Sequence, residues 1–136
     1  MSAQTGDAQS FAVTGVNMSE RALDRLRRAV EYIEGHPGQF DMDTFVDWRE
    51  SCGTTACLAG WLVLLEDGEE AVDHLGDTVT LTAKAVPIEE RAAQLLELDP
   101  NKFRTYSAIT WRLFYAENMP ANQLRGHVER TLGVTL

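Results

Sequence analysis

A chain of 136 residues is the usual size of one domain. Apolar residues make up 44% and charged residues 24%, a globular composition rather than a disordered or fibrous one. The formal net charge of −9 argues against a general grip on nucleic acid, which needs clustered Lys and Arg to displace counterions, and Arg21, Arg25, Arg27 and Arg28 form only a small basic group. Two cysteines are too few for a disulfide scaffold.

Residues 1–10 are small and polar and are expected to fray, leaving residues 11–136 as a single helical domain. No charged-then-apolar leader opens the chain, so it reads as cytoplasmic, with no membrane segment and with reduced thiols. Phe11-Ala12-Val13 suits a short extended piece. Asn17 and Glu20 have capping-box spacing at the head of a first helix. Met18, Leu23, Leu26, Val30 and Ile33 fall near one face of it, and Gly35 is placed to end it as a left-handed cap. Residues 40–48 predict irregular structure or one short helix.

Ser51-Cys52-Gly53-Thr54-Thr55 reads as a turn, and the ten residues after it carry no charge. A helix without a polar face has no side for water, so residues 54–65 are expected to form a buried central helix. A bilayer span needs about 20 apolar residues, so this run is too short to cross one. The small pair Ala59-Gly60 would let a neighbouring helix come close.

An acidic connector follows, holding Glu66, Asp67, Glu69, Glu70, Asp73 and Asp77, with a helical turn expected around Ala71, Val72 and Leu75. Val79-Thr80-Leu81-Thr82 alternates as a strand does, and needs a partner such as residues 11–13. Pro87 starts the next helix, with Glu89 and Glu90 at its positive end and Ile88, Ala92, Leu95 and Leu96 as its buried stripe. Asp99-Pro100 stops it. Phe103, Tyr106, Ile109, Leu113 and Phe114 recur at helical spacing, with a break expected near Thr110-Trp111. A last helix begins at Asn118-Met119-Pro120, buries Leu124, Val128 and Leu132, and ends at Gly133. The predicted fold is all-α, five or six helices around one apolar helix, with room for one short β-hairpin.

The segment Cys52-Gly53-Thr54-Thr55-Ala56-Cys57-Leu58-Ala59-Gly60-Trp61 resembles an element of small uncharacterised proteins of high-GC bacteria and their phages, Cys-Gly-Thr-x-x-Cys-x-Ala-Gly-Trp. Ala92-Ala93-Gln94-Leu95-Leu96-Glu97-Leu98 and Leu113-Phe114-Tyr115-Ala116-Glu117-Asn118-Met119-Pro120 extend the likeness, which covers roughly residues 40–120. In that group Gly is common where Glu97 stands, and an aromatic residue is expected at Met119. The resemblance implies a shared, phage-related fold and names no function.

The chemistry-bearing residues divide the functional readings. In one regular helix Cys52 and Cys57 would lie roughly 140° apart and about 7.5 Å along the axis, too far for a disulfide, so a bond requires Cys52 to precede the helix and the helix to start after Gly53. The plainer reading makes Cys57 a small core hydrophobe and Cys52 a packed or capping residue. A sharper one caps the helix with Thr54 and puts Cys57 in the first turn. There the helix's positive end favours a thiolate, and His36, His74 or His127 could serve as base, giving a thiol enzyme or redox protein with candidate residues Cys52, Cys57, His36 and His74. A zinc module built on the same residues is a third alternative, although Cys-x4-Cys is loose spacing and the histidines are not paired. The acidic connector fails the EF-hand pattern. No motif for a cofactor, phosphate loop or nucleophile elbow is present. The reading carried forward is a small non-enzymatic binding or regulatory protein that contacts another protein, with an acidic face suited to inhibiting a basic partner. Its candidate interaction surface is Glu66, Asp67, Glu69, Glu70, Asp73 and Asp77 with Trp48 and Trp111. Homo-oligomers are left open.

Overall fold

Five α-helices, a 3₁₀ turn and two antiparallel hairpins make up the residues that the computed structural model describes, 18–42, 46–49, 53–68, 72–75, 78–81, 86–116 and 118–136. The class is mostly helical. The order is α1 (Glu20–Gly35), the 3₁₀ turn (Pro37–Gln39), β1 (Val46–Arg49), β2 (Gly53–Ala56), α2 (Leu58–Asp67), β3 (Val72–Leu75), β4 (Thr78–Leu81), α3 (Ile88–Leu95), α4 (Phe103–Phe114) and α5 (Ala121–Leu132).

Helix α1 starts two residues later than the capping-box reading placed it. Ser19 is the N-cap, and its hydroxyl accepts the Ala22 N–H at 3.1 Å; Asn17 lies outside the described residues. Ala22, Leu26, Ala29, Val30 and Ile33 are buried, while Leu23 is only half-buried. Gly35 is the last helical residue, not a left-handed cap. His36 ends the helix with φ −136°, its N–H donating to the Ile33 carbonyl, because Pro37 next in line bars further helix.

Residues 46–49 and 53–56 correct the reading of this region as irregular chain and turn. They pair antiparallel, Val46 opposite Ala56 and Arg49 opposite Gly53. The β-branched pair Thr54-Thr55 suits an extended ladder better than a first helical turn. Phe40 adds an isolated parallel bridge to Ala56, with the Asp41 N–H donating to the Ala56 carbonyl at 3.1 Å. The apolar helix therefore begins at Leu58, with Cys57 as its N-cap rather than Thr54.

From Leu58 to Leu64 every residue of α2 is buried, and exposure begins at Leu65, 39% accessible. Helices α1, α3 and α4 and strand β2 all pack against it. The indole N–H of Trp61 donates to the Gln39 carbonyl at 2.7 Å, so this buried ring keeps no orphan donor. Tyr32 tilts against Trp61 with 4.4 Å between ring centroids, and its hydroxyl donates to Gln39 Oε1 at 2.6 Å.

Val72–Leu75 is a strand, not the helical turn expected there. It pairs with Thr78–Leu81, Val72 opposite Leu81 and Leu75 opposite Thr78. The partner of the alternating segment is thus its immediate neighbour, and the proposed partner at residues 11–13 lies outside the described residues. Gly76-Asp77, between the two strands, is a hairpin-type dipeptide that the acidic reading of the connector obscured.

Pro87 caps α3, whose Ile88, Ala92, Ala93 and Leu95 are buried. Its end is a Schellman-type closure: the Leu98 N–H donates to the Ala93 carbonyl at 3.1 Å and Glu97 takes φ +59°. Asp99 then forms a turn, its carboxylate accepting the Asn101 N–H at 2.9 Å. Helix α4 runs unbroken through Thr110-Trp111, because the Thr110 hydroxyl is satisfied within the helix by the Tyr106 and Ser107 carbonyls at 3.0 and 3.2 Å. Leu124, Val128, Thr131 and Leu132 are the buried face of α5, and Gly133 at φ +69° closes it.

Candidate functional site

Cys57 is the natural starting point, because it sits at the end of a helix. It is fully buried, and its Sγ accepts the Gly60 N–H at 3.5 Å. Burial pushes its thiol up to about 12, outweighing the neighbouring backbone N–H groups that favour ionisation, and Glu89 adds to the rise. The expected thiolate is therefore reversed: desolvation exceeds the helix-end effect, and Cys57 is a protonated capping residue. Cys52 lies outside the described residues. The His36 ring stacks on Tyr32 at 4.1 Å, and one of its nitrogens meets the Tyr32 carbonyl at 2.9 Å. His127 sits 2.6 Å from the Arg112 carbonyl. His74 stands in β3. Among the described residues no three His, Cys, Asp or Glu groups are placed to hold a metal ion.

The acidic connector divides in two. Glu69, Glu70 and Asp77 lie outside the described residues, and Asp73 stands in β3 opposite Thr80. Glu66 and Asp67 end α2, where the helix's negative pole disfavours them. Cations from two other helices offset this. Arg91 from α3 grips Asp67 with two bonds of 2.8 and 2.9 Å, and Asp67 raises the Arg91 guanidinium further. Arg28 reaches Glu66 at 3.3 Å, and Arg25 lies 3.6 Å from it. Arg25 also donates to the Leu95 carbonyl at 2.7 Å, so one part-buried guanidinium ties α1 to the ends of α2 and α3. These two carboxylates are occupied inside the molecule.

The left-handed Glu97 belongs to the same group. A non-glycine residue there is strained, and its carboxylate accepts from Ser19 Oγ at 2.7 Å and Arg21 Nε at 2.8 Å. Those hydrogen bonds, Ser19 first, hold its carboxyl below the usual range. A glycine at this position would relieve the backbone and lose the anchor to α1.

Of the two candidate tryptophans, Trp48 stands in β1. Trp111 is 70% exposed, and its ring stacks with Tyr115 at 5.5 Å. Two rings outside the candidate surface are also exposed: Phe103, which shares the helical spacing of Ile109 and Leu113, at 73%, and Tyr115, which caps the helix, at 42%. The signal was present. At about 100° per residue, Arg104, Ala108, Trp111, Arg112 and Tyr115 share one arc, roughly opposite the buried Ile109 and Leu113. Trp111 and Tyr115 thus share one exposed arc, while Phe103 is exposed at the start of the helix, about 80° round from Trp111.

No protein-family model, curated protein or solved structure matches this chain. No helix among the described residues is long and apolar enough to cross a membrane.

Proposed function

We propose that this chain is a small cytoplasmic, non-enzymatic binding protein that works by contact with another protein, and that the outward face of α4 makes the contact. The observation that carries this reading is the exposure of Trp111 and Tyr115 on one arc, at 70% and 42%, with Phe103 73% exposed at the start of the helix. Water-facing aromatic rings of this size have a free-energy reason to be covered, and Trp and Tyr supply large contact area with few rotatable bonds. The acidic connector has less claim to the role, since Glu66 and Asp67 already have arginine partners. The phage-like resemblance suits a small regulatory protein and names no partner.

The test uses a photo-crosslinking amino acid at position 111, with capture from the native host. A discrete crosslinked protein, lost when Phe103 and Tyr115 are both changed to Ser, is the expected result. Crosslinks no different from those at an exposed position on α5 would overturn the reading.

A further inference from the structure

Two cations beside this aromatic face lack the ion pairs that most of the described arginines make, a lack they share with Arg130 near the end of α5. Arg21, Arg25, Arg27, Arg28, Arg91 and Arg125 each meet a carboxylate of the chain. Lys102 and Arg104 are exposed and form no ion pair among the described residues, although the chain has 21 acidic and 12 basic residues. Their location adds to the anomaly. Lys102 is the N-cap of α4 and Arg104 lies in its first turn, where the positive pole disfavours cations. Helices α1 and α3 follow the rule with Glu20, Glu89 and Glu90 at their starts. The mirror-image violation, Glu66 and Asp67 at the end of α2, is relieved from within by arginines, whereas this one is not. Residues 101–116 contain no Asp or Glu at all. A locally unfavourable choice without local relief points to a gain made elsewhere.

Arg104 and Trp111, seven residues apart, fall almost in line along the helix, roughly 10 Å from each other. The face thus offers a cationic end at Lys102 and Arg104 and an aromatic end at Trp111 and Tyr115, where the Tyr115 hydroxyl is bonded to Glu89 of α3 and the ring faces remain for apolar contact. We propose that it docks an acidic protein segment bearing bulky apolar side chains, whose carboxylates meet Lys102 and Arg104 while its apolar groups cover Trp111 and Tyr115. This rests on the reading of α4 as a protein-contact surface. A nucleic acid is the poorer occupant: two or three cations release few counterions, and the net charge of −9 repels a polyanion.

The test titrates isotope-labelled full-length protein with three synthetic amphipathic helical peptides sharing the same Leu and Trp positions and carrying Glu, Gln or Lys at the others. Backbone amide shifts locate binding, and an oligo-thymidine 20-mer serves as the nucleic-acid probe. The Glu peptide is expected to bind with shifts confined to α4 and the start of α5, roughly ten-fold more tightly than the Lys peptide. The double variant K102E/R104E is expected to weaken it about five-fold, and 0.5 M salt to do the same. That variant places acids at a helix start, so its fold is not at risk. Equal binding of the Gln or Lys peptide on α4 would overturn the acidic-partner inference and leave α4 as a protein-contact face. No binding of any peptide at α4 would overturn both. Tighter binding of the oligonucleotide there, or a concentration-dependent dimer that Trp111→Ser dissolves, would also overturn the inference.

Discussion

Trp61 and Trp111 are the same side chain on two helices that pack together, in opposite surroundings. Trp61 is 5% exposed, with its N–H bonded to a carbonyl and Tyr32 on its flank; Trp111 is 70% exposed and touches Tyr115. Around Trp61 each polar group is matched: Cys57 caps Gly60, Gln39 receives the indole, and arginines neutralise the acids at the end of α2. Around Trp111 the apolar surface is uncovered, and Lys102 and Arg104 stand without ion pairs among the described residues. The first region has the completeness that stability requires, and the second has the incompleteness that contact with another molecule would resolve.

The largest expected difference is between those two rings. Trp61→Ala should cost about 3–5 kcal/mol of unfolding free energy, since a large buried ring leaves a cavity. Trp111→Ala should change it by less than about 0.5 kcal/mol. Urea unfolding of both variants decides it, and equal losses would abolish the contrast.

Cys57 sharpens the description of the buried region. Cys57→Ala should cost about 1–2 kcal/mol through the lost cap and a small void, and Cys57→Ser less, because a hydroxyl can also accept the Gly60 N–H. The pH dependence has a definite sign. In the unfolded chain the thiol ionises near 9.0, whereas in the fold it stays protonated to about 12. Its contribution is therefore complete below the unfolded value and lost as pH rises between the two. Urea midpoints of the wild type should fall more from pH 8 to pH 10 than those of Cys57→Ala. Tyr106, raised by burial, cancels in the comparison; Tyr115 is raised by burial and by Glu89 and then by Cys57, so the part due to Cys57 adds to the difference between the two proteins.

Smaller effects test the arginine clamps. Arg91→Met should cost about 1 kcal/mol, because it strands Asp67 at the negative pole of α2; Arg27→Met, which breaks only an exposed pair with Asp24, should cost about 0.3 kcal/mol. Thermal unfolding separates the two. At Glu97 the order of variants carries the information: Glu97→Gly should be more stable than Glu97→Ala, since both lose the anchor and only glycine relieves the left-handed backbone. The Arg125 guanidinium lowers the Glu34 carboxyl. Stability from that group is present above the ordinary carboxyl range and is lost as pH falls through the lowered value, so Glu34→Gln should flatten the acid limb of the stability profile slightly.

Much of the helical frame was legible because its cues are local. Pro87 and Pro120 mark helix starts, Gly133 takes the left-handed cap, and Ile88, Ala92, Leu95 and Leu96 or Leu124, Val128 and Leu132 are buried as their spacing predicts. The two hairpins were largely missed. Thr54-Thr55 and Val72–Leu75 were read as helix, because pairing depends on a partner strand and the acids of the connector drew the reading away from Gly76-Asp77. The candidate site was legible in part. Trp111 belongs to the candidate surface, whereas the spacing of Phe103 gives it no side and Tyr115 figures only within the resemblance, since an aromatic stripe on one helix does not say which side its neighbours occupy.

The mostly helical class, the bounds of most helices and the lack of any side for water on residues 58–64 are readable along the chain. Those properties follow from backbone sterics and side-chain hydrophobicity over a few neighbouring positions. Packing between distant segments is what keeps Cys57 a protonated cap, holds Glu66 and Asp67 with arginines, puts Glu97 in a glycine's conformation and leaves Trp111 facing water. Each of these depends on groups distant in the chain, whose burial and charge no local pattern specifies.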